Sequence, residues 1–565
     1  MELRLLIAFV LMGLVLFVTP YFYKPPAGPK RTTPPATPAQ AAQVAKPPQA
    51  QTQAPAQPAT AAAAAPAPGQ VSAAKEEIFT IDTALYRIQF SNRGAVATDW
   101  VLKKYLDSRG KPLELVNTSA LSKVPAPFAV IYKNGQQAAD LNSALFQATP
   151  SPDGFGIDYK YSDGKTVCSK SFRFDKNSYL SRVTSEVSQN GAGVPHLLEW
   201  RGGFGDISVL NRQSAQQVVY FDLSDSKLNV HNAGAAKNGT VTAAGDYSFA
   251  GLEDPFFAAL VLPKTGTTVE VQTYKDDLLP PNAAKDAKQE QFIGVGVGGD
   301  AVNNFQLFVG PKDIDILKQV DARLPQLIDW GWFWFIAKPL FLVMHWMNDH
   351  MVHNYGWSIV LITVAINVLI LPLRLSSMKS AKKMQSLQPE IKRINAKYKD
   401  VGLRDPRKAE QNQEVMDLYK KHGVNPMGGC FPMLIQLPIL YAFYRVLAVT
   451  IELRGAHWLW VTDLSQPESL PIHILPLVMI VSQFMMQKMT PNPTADPAQA
   501  KMMMFMPLMF GFFFYNMSSG LVLYWLTSNL VGIAQQWVMN RTMPAPAPVV
   551  AAPQKTTPKR KSGRG

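Results

Sequence analysis

Cysteine is nearly missing from this chain of 565 residues, which has only Cys168 and Cys430. The two are far apart in sequence and are assigned below to different compartments, so no disulfide framework holds the fold. Acidic residues are in deficit as well, with 41 Asp and Glu against 55 Lys and Arg. In the long apolar runs of the last third they occur only at the ends, which excludes the carboxylate chain that a proton or ion pathway needs. No nucleotide-binding motif is present. The glycine run at 294–299 lies between strand-like segments rather than at a helix start, so it is not a dinucleotide fingerprint. His345, Asp349 and His353, spaced by four, could ligate a metal on a helix but read better as the polar end of a surface helix. No paired nucleophile and base emerges from residues 78–324. The expectation is a protein that is not an enzyme and carries no cofactor or metal.

What the chain does have is two apolar runs, 357–373 and 431–449, on either side of about fifty polar and basic residues. Lys and Arg resist translocation, so two bilayer-length runs flanking a basic loop describe a membrane protein whose loop is cytoplasmic. Arg374, Lys379, Lys382, Lys383, Lys392, Arg393, Lys397 and Lys399 crowd the first part of the loop, and Lys555, Lys559, Arg560, Lys561 and Arg564 mark the C-terminal tail. Such basic surfaces meet anionic lipid or RNA, two partners that composition does not separate.

Residues 1–24 read as a transmembrane anchor rather than a cleaved signal, and the Pro, Ala, Gln and Thr of 25–77 read as a tether that cannot bury a core. Residues 78–325 carry short β-branched and aromatic runs punctuated by Asn134-Gly135, Asp153-Gly154, Asp163-Gly164, Asn190-Gly191 and Asn238-Gly239. These pairs tolerate the positive φ of tight hairpins, which predicts a large antiparallel β domain. Residues 326–352 hold four tryptophans around Lys338-Pro339 and fit an amphipathic helix lying at the membrane surface. If that helix is flat, the β domain is outside; if it spans, the β domain is cytoplasmic. Within 375–424, Met384, Leu387, Ile391, Ile394 and Tyr398 make a coiled-coil seam, and 408–422 returns as a second helix carrying Val415, Leu418 and Tyr419, a helical hairpin. Runs at 472–486, 502–515 and 521–539 bring the total to six spans, with the basic tail, 541–565, on the same side as the loop. At 1.5 Å per residue the run 502–515 covers only about 21 Å, so a thinned membrane is expected there.

Several uncharged polar residues fall inside these runs. Thr363 and Asn367 are one turn apart, Tyr524, Ser528 and Gln535 share a face, Gln436 lies in the second central run, and Ser482, Gln483 and Gln487 lie in the next. Singly, each reads as an interhelical hydrogen-bond partner; together they suggest a semi-polar cavity. Arg445 lies toward the outer end of its run, half a turn out of phase with Gln436, and is expected to snorkel to the headgroups.

Asn425-Pro426-Met427-Gly428-Gly429-Cys430-Phe431-Pro432 with Gln436-Leu437-Pro438, His353-Asn354-Tyr355-Gly356-Trp357-Ser358, Glu452-Leu453-Arg454, Gln487-Lys488-Met489 and Gly520-Leu521-Val522-Leu523-Tyr524-Trp525 closely resemble the YidC family of membrane protein insertases. The resemblance implies a multi-pass protein of the cell inner membrane with a periplasmic β-super-sandwich and a cytoplasmic C-terminus. Residues 353–540 would form a five-span transmembrane bundle, including a cytoplasmic helical hairpin at 375–424, around a hydrophilic groove. It also makes the 326–352 helix interfacial. Substrate-groove residues are then Thr363, Asn367, Gln436, Tyr524, Trp525 and Ser528. The implied partners are nascent membrane proteins, the Sec translocon, the lipid bilayer and the ribosome, the last through the basic loop and tail, with no specific DNA. The expected function is insertion and chaperoning of inner-membrane proteins, alone or with the translocon; a solute transporter with a periplasmic ligand-capturing domain is the alternative. Where the family places a mid-membrane Arg, or in some members Lys, this chain has Asn367, and Arg374 is two turns away at the cytoplasmic end.

Overall fold

The computed structural model describes residues 69–107, 109–133, 139–207, 216–280, 288–398, 405–424, 431–490, 505, 507–509 and 511–542. The expected anchor, most of the tether, Asn134-Gly135, the motif segment 425–430 and the basic tail lie outside them. Two compact units divide at Gly310/Pro311.

Apart from one 3-10 turn at Thr118–Ala120, the regular structure described in the first unit is all strand. Alternation of buried and exposed residues along Thr166–Phe174 and Leu180–Gln189 is what a half-buried strand requires, because successive side chains leave on opposite faces. Among the described residues fifteen strands join one hydrogen-bonded sheet, eleven of them in a single path, and Ile78–Asp82, Tyr86–Ser91, Val96–Leu106 and Pro112–Glu114 form a second sheet. The long strand Val241–Glu253 serves two partners: residues 241–246 pair with the strand Thr268–Leu278, and residues 250–253 with Phe257–Leu262. One strand thereby carries the path from layer to layer. The two sheets meet at aromatic rings, with Phe90 of the smaller sheet 4.6 Å from Phe172 of the larger between centroids.

Three of the Asx-Gly pairs close hairpins where expected: Asp153-Gly154, Asp163-Gly164 and Asn190-Gly191 each join strands that pair with one another. Asn190 and Gly191 both have positive φ, at 50° and 79°, as a two-residue hairpin needs. Asn238-Gly239 instead connects Lys227–His231 to Val241–Glu253, two strands that each pair with Gln217–Asp222. Strand pairing also begins earlier than the expected boundary at 78, because Gln70–Val71 pairs with Asp163 and Ser162.

Lys170 is sealed inside this unit. Its ammonium donates to the carbonyls of Gly94 (2.6 Å), Ala95 (3.3 Å) and Phe128 (2.8 Å), all three residues having positive φ. These bonds satisfy the charge that burial strips of water, and burial holds the group down at about 8.

The second unit is helical and starts before the expected end of the β domain at 325. Asp313 caps helix α1 (Ile314–Val320) by accepting from the backbone of Asp315 and Ile316, and Leu324, Leu327 and Ile328 are buried beyond it. Helix α2 (Trp334–Met347) passes through a π turn at Asn348–Val352 into α3 (Tyr355–Leu369), with a bend of 116°. Three residues of the sequence motif at the bend have a physical reason there. His353 takes the left-handed conformation (φ 49°), Asn354 accepts from the Trp357 backbone N–H as the N-cap, and a Cβ at Gly356 would overlap the Trp458 indole. Helix α2 buries Ala337, Leu340, Phe341, Met344 and Met347 and exposes Trp334, Phe335, Leu342, Val343 and Trp346. Its free face is therefore apolar, unlike the polar face of a helix on water.

Two expected helices are cut by proline. The run 357–373 ends as α3 at Leu369, and α4 (Leu371–Ser386) restarts with Pro372 in its first turn. The seam 384–398 is divided at Leu387, after which α5 (Gln388–Lys397) has Pro389 in its first turn. A proline has no N–H for the carbonyl four residues back, so each helix stops there. The hairpin packing nevertheless follows the expected seam: Met384, Leu387 and Ile391 cluster with Tyr419 and Val424 and touch Val415 and Leu418 of α6 (Arg407–Lys421). Helices α7 (Phe431–Val449), α8 (Ile474–Met489) and α9 (Ser519–Thr542) complete the described helical elements that the site uses. Among the described residues no single helix is both long and apolar enough to cross a membrane; α2 with its π turn and α3 pass that test together.

Candidate functional site

Helix α9 packs against α3, α7 and α8, and its polar residues point at three neighbours. Tyr524 and Ser528 are one helical turn apart and so share a face. The Tyr524 hydroxyl accepts a hydrogen bond from the Gln436 amide of α7, while its ring stacks on Phe443 at 4.1 Å. Ser528 Oγ accepts from Asn367 Nδ2 of α3 at 3.4 Å, and Gln535 Nε2 donates to the Asn367 carbonyl at 3.4 Å. Trp525 and Asn529, rotated away from that face, meet α8 instead: Trp525 Nε1 donates to Gln483 Oε1 (3.2 Å) and Asn529 Nδ2 to Ser482 Oγ (3.0 Å).

The break at Pro372 shapes this site. With α3 ended, the carbonyl of Asn367 has no partner in its own helix and is met by Gln535, as orphan helix-end carbonyls must be. Asn367 Nδ2 also donates to the Thr363 carbonyl at 2.8 Å, leaving Oδ1 as its free acceptor. Into that oxygen comes a group not assigned here from the sequence. Arg374 Nη1 donates to Asn367 Oδ1 at 3.3 Å, and Nη2 lies 3.9 Å from Met486 Sδ of α8. Gly532 of α9 makes the room, since a Cβ there would stand 2.5 Å from Arg374 Nη2. Two turns along the chain suggest separation, but helical side chains tilt toward the N-terminus, so an arginine at i+7 reaches back to i. The signal was available in that tilt.

Of the six candidate residues, Asn367 and Ser528 are in contact, Gln436 and Tyr524 form a second pair on the same face of α9, and Trp525 faces α8. Thr363 is fully buried and spends its hydroxyl on the Ile359 carbonyl at 2.6 Å, so its donor is turned into its own helix. Arg445 does not end free among headgroups: Nη2 is 2.6 Å from Asp329 Oδ2 and 2.5 Å from the Asp329 carbonyl. An acidic partner supplied from outside its own helix was invisible to a reading of one helix at a time. His345 is bonded to the Tyr355 hydroxyl (3.0 Å) and Asp315 (3.2 Å), and no cluster of metal-ligating residues exists among the described residues. At a loop end of this unit the buried Glu452 carboxyl is pushed up to about 8, by loss of water and by Asp313 and Asp315 nearby.

Residues 78–343 match the family profile described as YidC periplasmic domain, and residues 346–546 that of the 60Kd inner membrane protein. A membrane protein insertase YidC from Geotalea uraniireducens (strain Rf4) is 33% identical over 574 residues, covering 96% of this chain and 100% of that protein. Another, from Cupriavidus necator, is 33% identical over 494 residues, covering 84% and 85%. A solved structure of an active YidC insertase with its first transmembrane domain resolved is similar at a TM-score of 0.36 and 18% identity, covering 83% of this chain and 94% of that one.

Proposed function

The chain belongs to the YidC family of membrane protein insertases, and from that premise we infer that its insertase site is the polar face of α9 with the residues of α3 and α7 that meet it. The family membership leaves the solute-transporter alternative without support. A hydrophilic segment entering a bilayer must shed water, and each unsatisfied polar group costs several kcal/mol in hydrocarbon. Gln436, Tyr524, Ser528, Asn367 and Gln535 offer that segment substitute partners partway across. The apolar segment behind it then moves into lipid, driven by burial. Partitioning supplies the energy, and no reaction is catalysed.

Two features support a membrane setting for the helical unit. Large apolar side chains stand exposed on it, Leu369 at 80% and Phe512 at 88%, a surface that water would penalise. The short helices α3 and α8, with 15 and 16 residues, span about 22 to 24 Å at 1.5 Å per residue, which fits the thinned bilayer expected at 502–515. The reading retains six spans, with α4 to α6 as a cytoplasmic hairpin. The basic loop and tail lie toward the ribosome, the Sec translocon is a partner, and α2 rests in the interface with its apolar face in lipid.

The observation that carries this reading is the pairing of polar side chains across α3, α7 and α9 inside an otherwise apolar bundle. Its test is a double change, Gln436→Leu with Ser528→Leu, assayed for insertion of a single-span protein into proteoliposomes. Insertion should fall while the bundle stays folded, each lost contact being worth about 1 kcal/mol. Unchanged insertion by the doubly apolar variant would remove the site from the mechanism.

A further inference from the structure

We propose that the tip of the segment between α7 and α8, Leu459 with Trp460, is a lipid anchor seated in the membrane surface on the side where α2 rests. The inference rests on the membrane reading of the helical unit given above and goes beyond it, assigning a partner to a segment outside the insertase site. Trp458 and Val461 exchange both backbone hydrogen bonds, at 2.9 and 2.8 Å, so Leu459 and Trp460 are the central pair of a two-residue hairpin. Leu459 has φ 50°, in the left-handed region, and Trp460 does not. Positive φ at the first central position alone marks a turn that normally takes glycine there, because a Cβ is strained in that conformation. A leucine in that place costs stability without a packing gain, being 65% exposed beside a Trp460 that is 41% exposed. Strain retained for an exposed apolar residue points to a use outside the folded chain.

The base of the tip is tied to three helices. Asn354, the N-cap of α3, donates from Nδ2 to the His457 carbonyl at 2.9 Å, and Trp458 is buried over Gly356. Glu468, itself buried, accepts from Trp460 Nε1 and from the Leu475 backbone N–H of α8, both at 2.8 Å. At the start of α9 the backbone N–H groups of Ser519 and Gly520 donate to the carbonyls of Gln466 and Leu464. The Trp460 indole N–H is thus spent inside the protein, and the side chains at the tip present carbon outward. Lipid chains need no directional partner, whereas tryptophan at a protein interface normally keeps that polar handle for the other side. Size argues the same way: an aromatic side chain covers about 150 to 250 Å², and a specific protein interface takes about 800 Å² from each partner. Trp357, Trp458 and Trp460 follow one another at 5.7 and 6.0 Å between ring centroids, and Trp357 lies in the first turn of α3. The tip therefore stands beside the bend at which α2, with its exposed apolar face, passes into α3, and aromatic residues favour the headgroup region.

The experiment uses the full chain in vesicles of phosphatidylethanolamine and phosphatidylglycerol, with a photoreactive benzoylphenylalanine at one position at a time. Probes at Leu459 and Trp460 should give lipid adducts in roughly tenfold excess over a probe at Val230, an exposed apolar residue of the β unit, because an anchor holds its apolar side chains at the acyl boundary. Leu459→Asp should cut the lipid yield at Trp460 several-fold, by carrying a charge to that boundary. Leu459→Gly should unfold at no lower temperature than the unaltered protein, since glycine adopts the left-handed conformation without strain. A lower unfolding temperature would make Leu459 a packing residue and overturn the proposal. Adducts to polypeptide in place of lipid, once a stalled nascent membrane protein is added, would also overturn it, by making the tip a protein-docking site. A probe at the exposed Leu369 of α3, run alongside, separates the failures. Lipid capture at Leu369 but not at Leu459 removes the anchor alone; capture at neither removes the membrane setting of the helical unit as well.

Discussion

His196 shows how a single residue sets a pH limit on the β unit. It is fully buried, with Nδ1 3.1 Å from the Val194 carbonyl and Nε2 2.8 Å from Ser185 Oγ and 3.2 Å from Asn303 Nδ2. A carbonyl only accepts, so Nδ1 bears the proton and Nε2 accepts, and a second proton would face the Asn303 donor. Burial accordingly pushes this imidazole down to about 4 from the ordinary 6.5. Below pH 6.5 the unfolded chain takes up a proton that the folded one refuses. The contribution of His196 to stability should therefore be constant above about 6.5, decline as the pH falls, and level off below about 4, by up to about 3 kcal/mol. Denaturant unfolding of a 69–310 fragment, with His196→Gln as the comparison, checks this: the variant should lack that part of the slope. Arg445 supports the opposite kind of prediction. Asp329 is 77% exposed, so the pair is screened by water, and Arg445→Gln should cost less than about 1 kcal/mol. It should also leave insertion of a single-span protein into proteoliposomes unchanged.

At the scale of elements, proline places the joints and apolar spacing places the contacts. The hairpin core of Met384, Leu387, Ile391, Tyr419 and Val424 is small and has no β-sheet behind it. Ile391→Ala should remove about 2 to 4 kcal/mol from it and raise amide exchange across α5 and α6. Exchange in α9 should be unchanged, and parallel acceleration there would show the hairpin to be part of one cooperative bundle. This seam was legible in the sequence because period alone defines it. The helix ends were less so: the apolar run 357–373 does not announce that Pro372 will divide it, since hydropathy is blind to a missing N–H. The site was legible in the same uneven way. Faces such as Tyr524 with Ser528 follow from a period of 3.6, whereas the Arg374 contact and the Asp329 partner of Arg445 depend on where chain breaks and neighbouring segments bring distant residues. Thr363 is buried on α3 one turn before Asn367, as its spacing implies, but its hydroxyl is absorbed by the helix itself, as threonine hydroxyls often are.

In the whole molecule the division at Gly310/Pro311 separates a β unit with its own aromatic core from a helical unit that contains every residue of the inferred site. Deleting 78–310 while keeping residues 311–352, which include the capped α1 and the buried Leu324 and Leu327, should leave most insertion activity in place. Complete loss with the helical unit still folded would show that the β unit takes part in insertion. The central claim is that an arriving chain passes along the polar face of α9, and site-specific photocrosslinking of a stalled nascent membrane protein tests it most directly. Probes at Asn367, Gln436, Tyr524 and Ser528 should capture the nascent segment, while probes at the exposed apolar positions Val481 and Trp537 should capture mainly lipid. Capture of the nascent chain at Val481 and Trp537, with none at the four polar positions, would contradict the account.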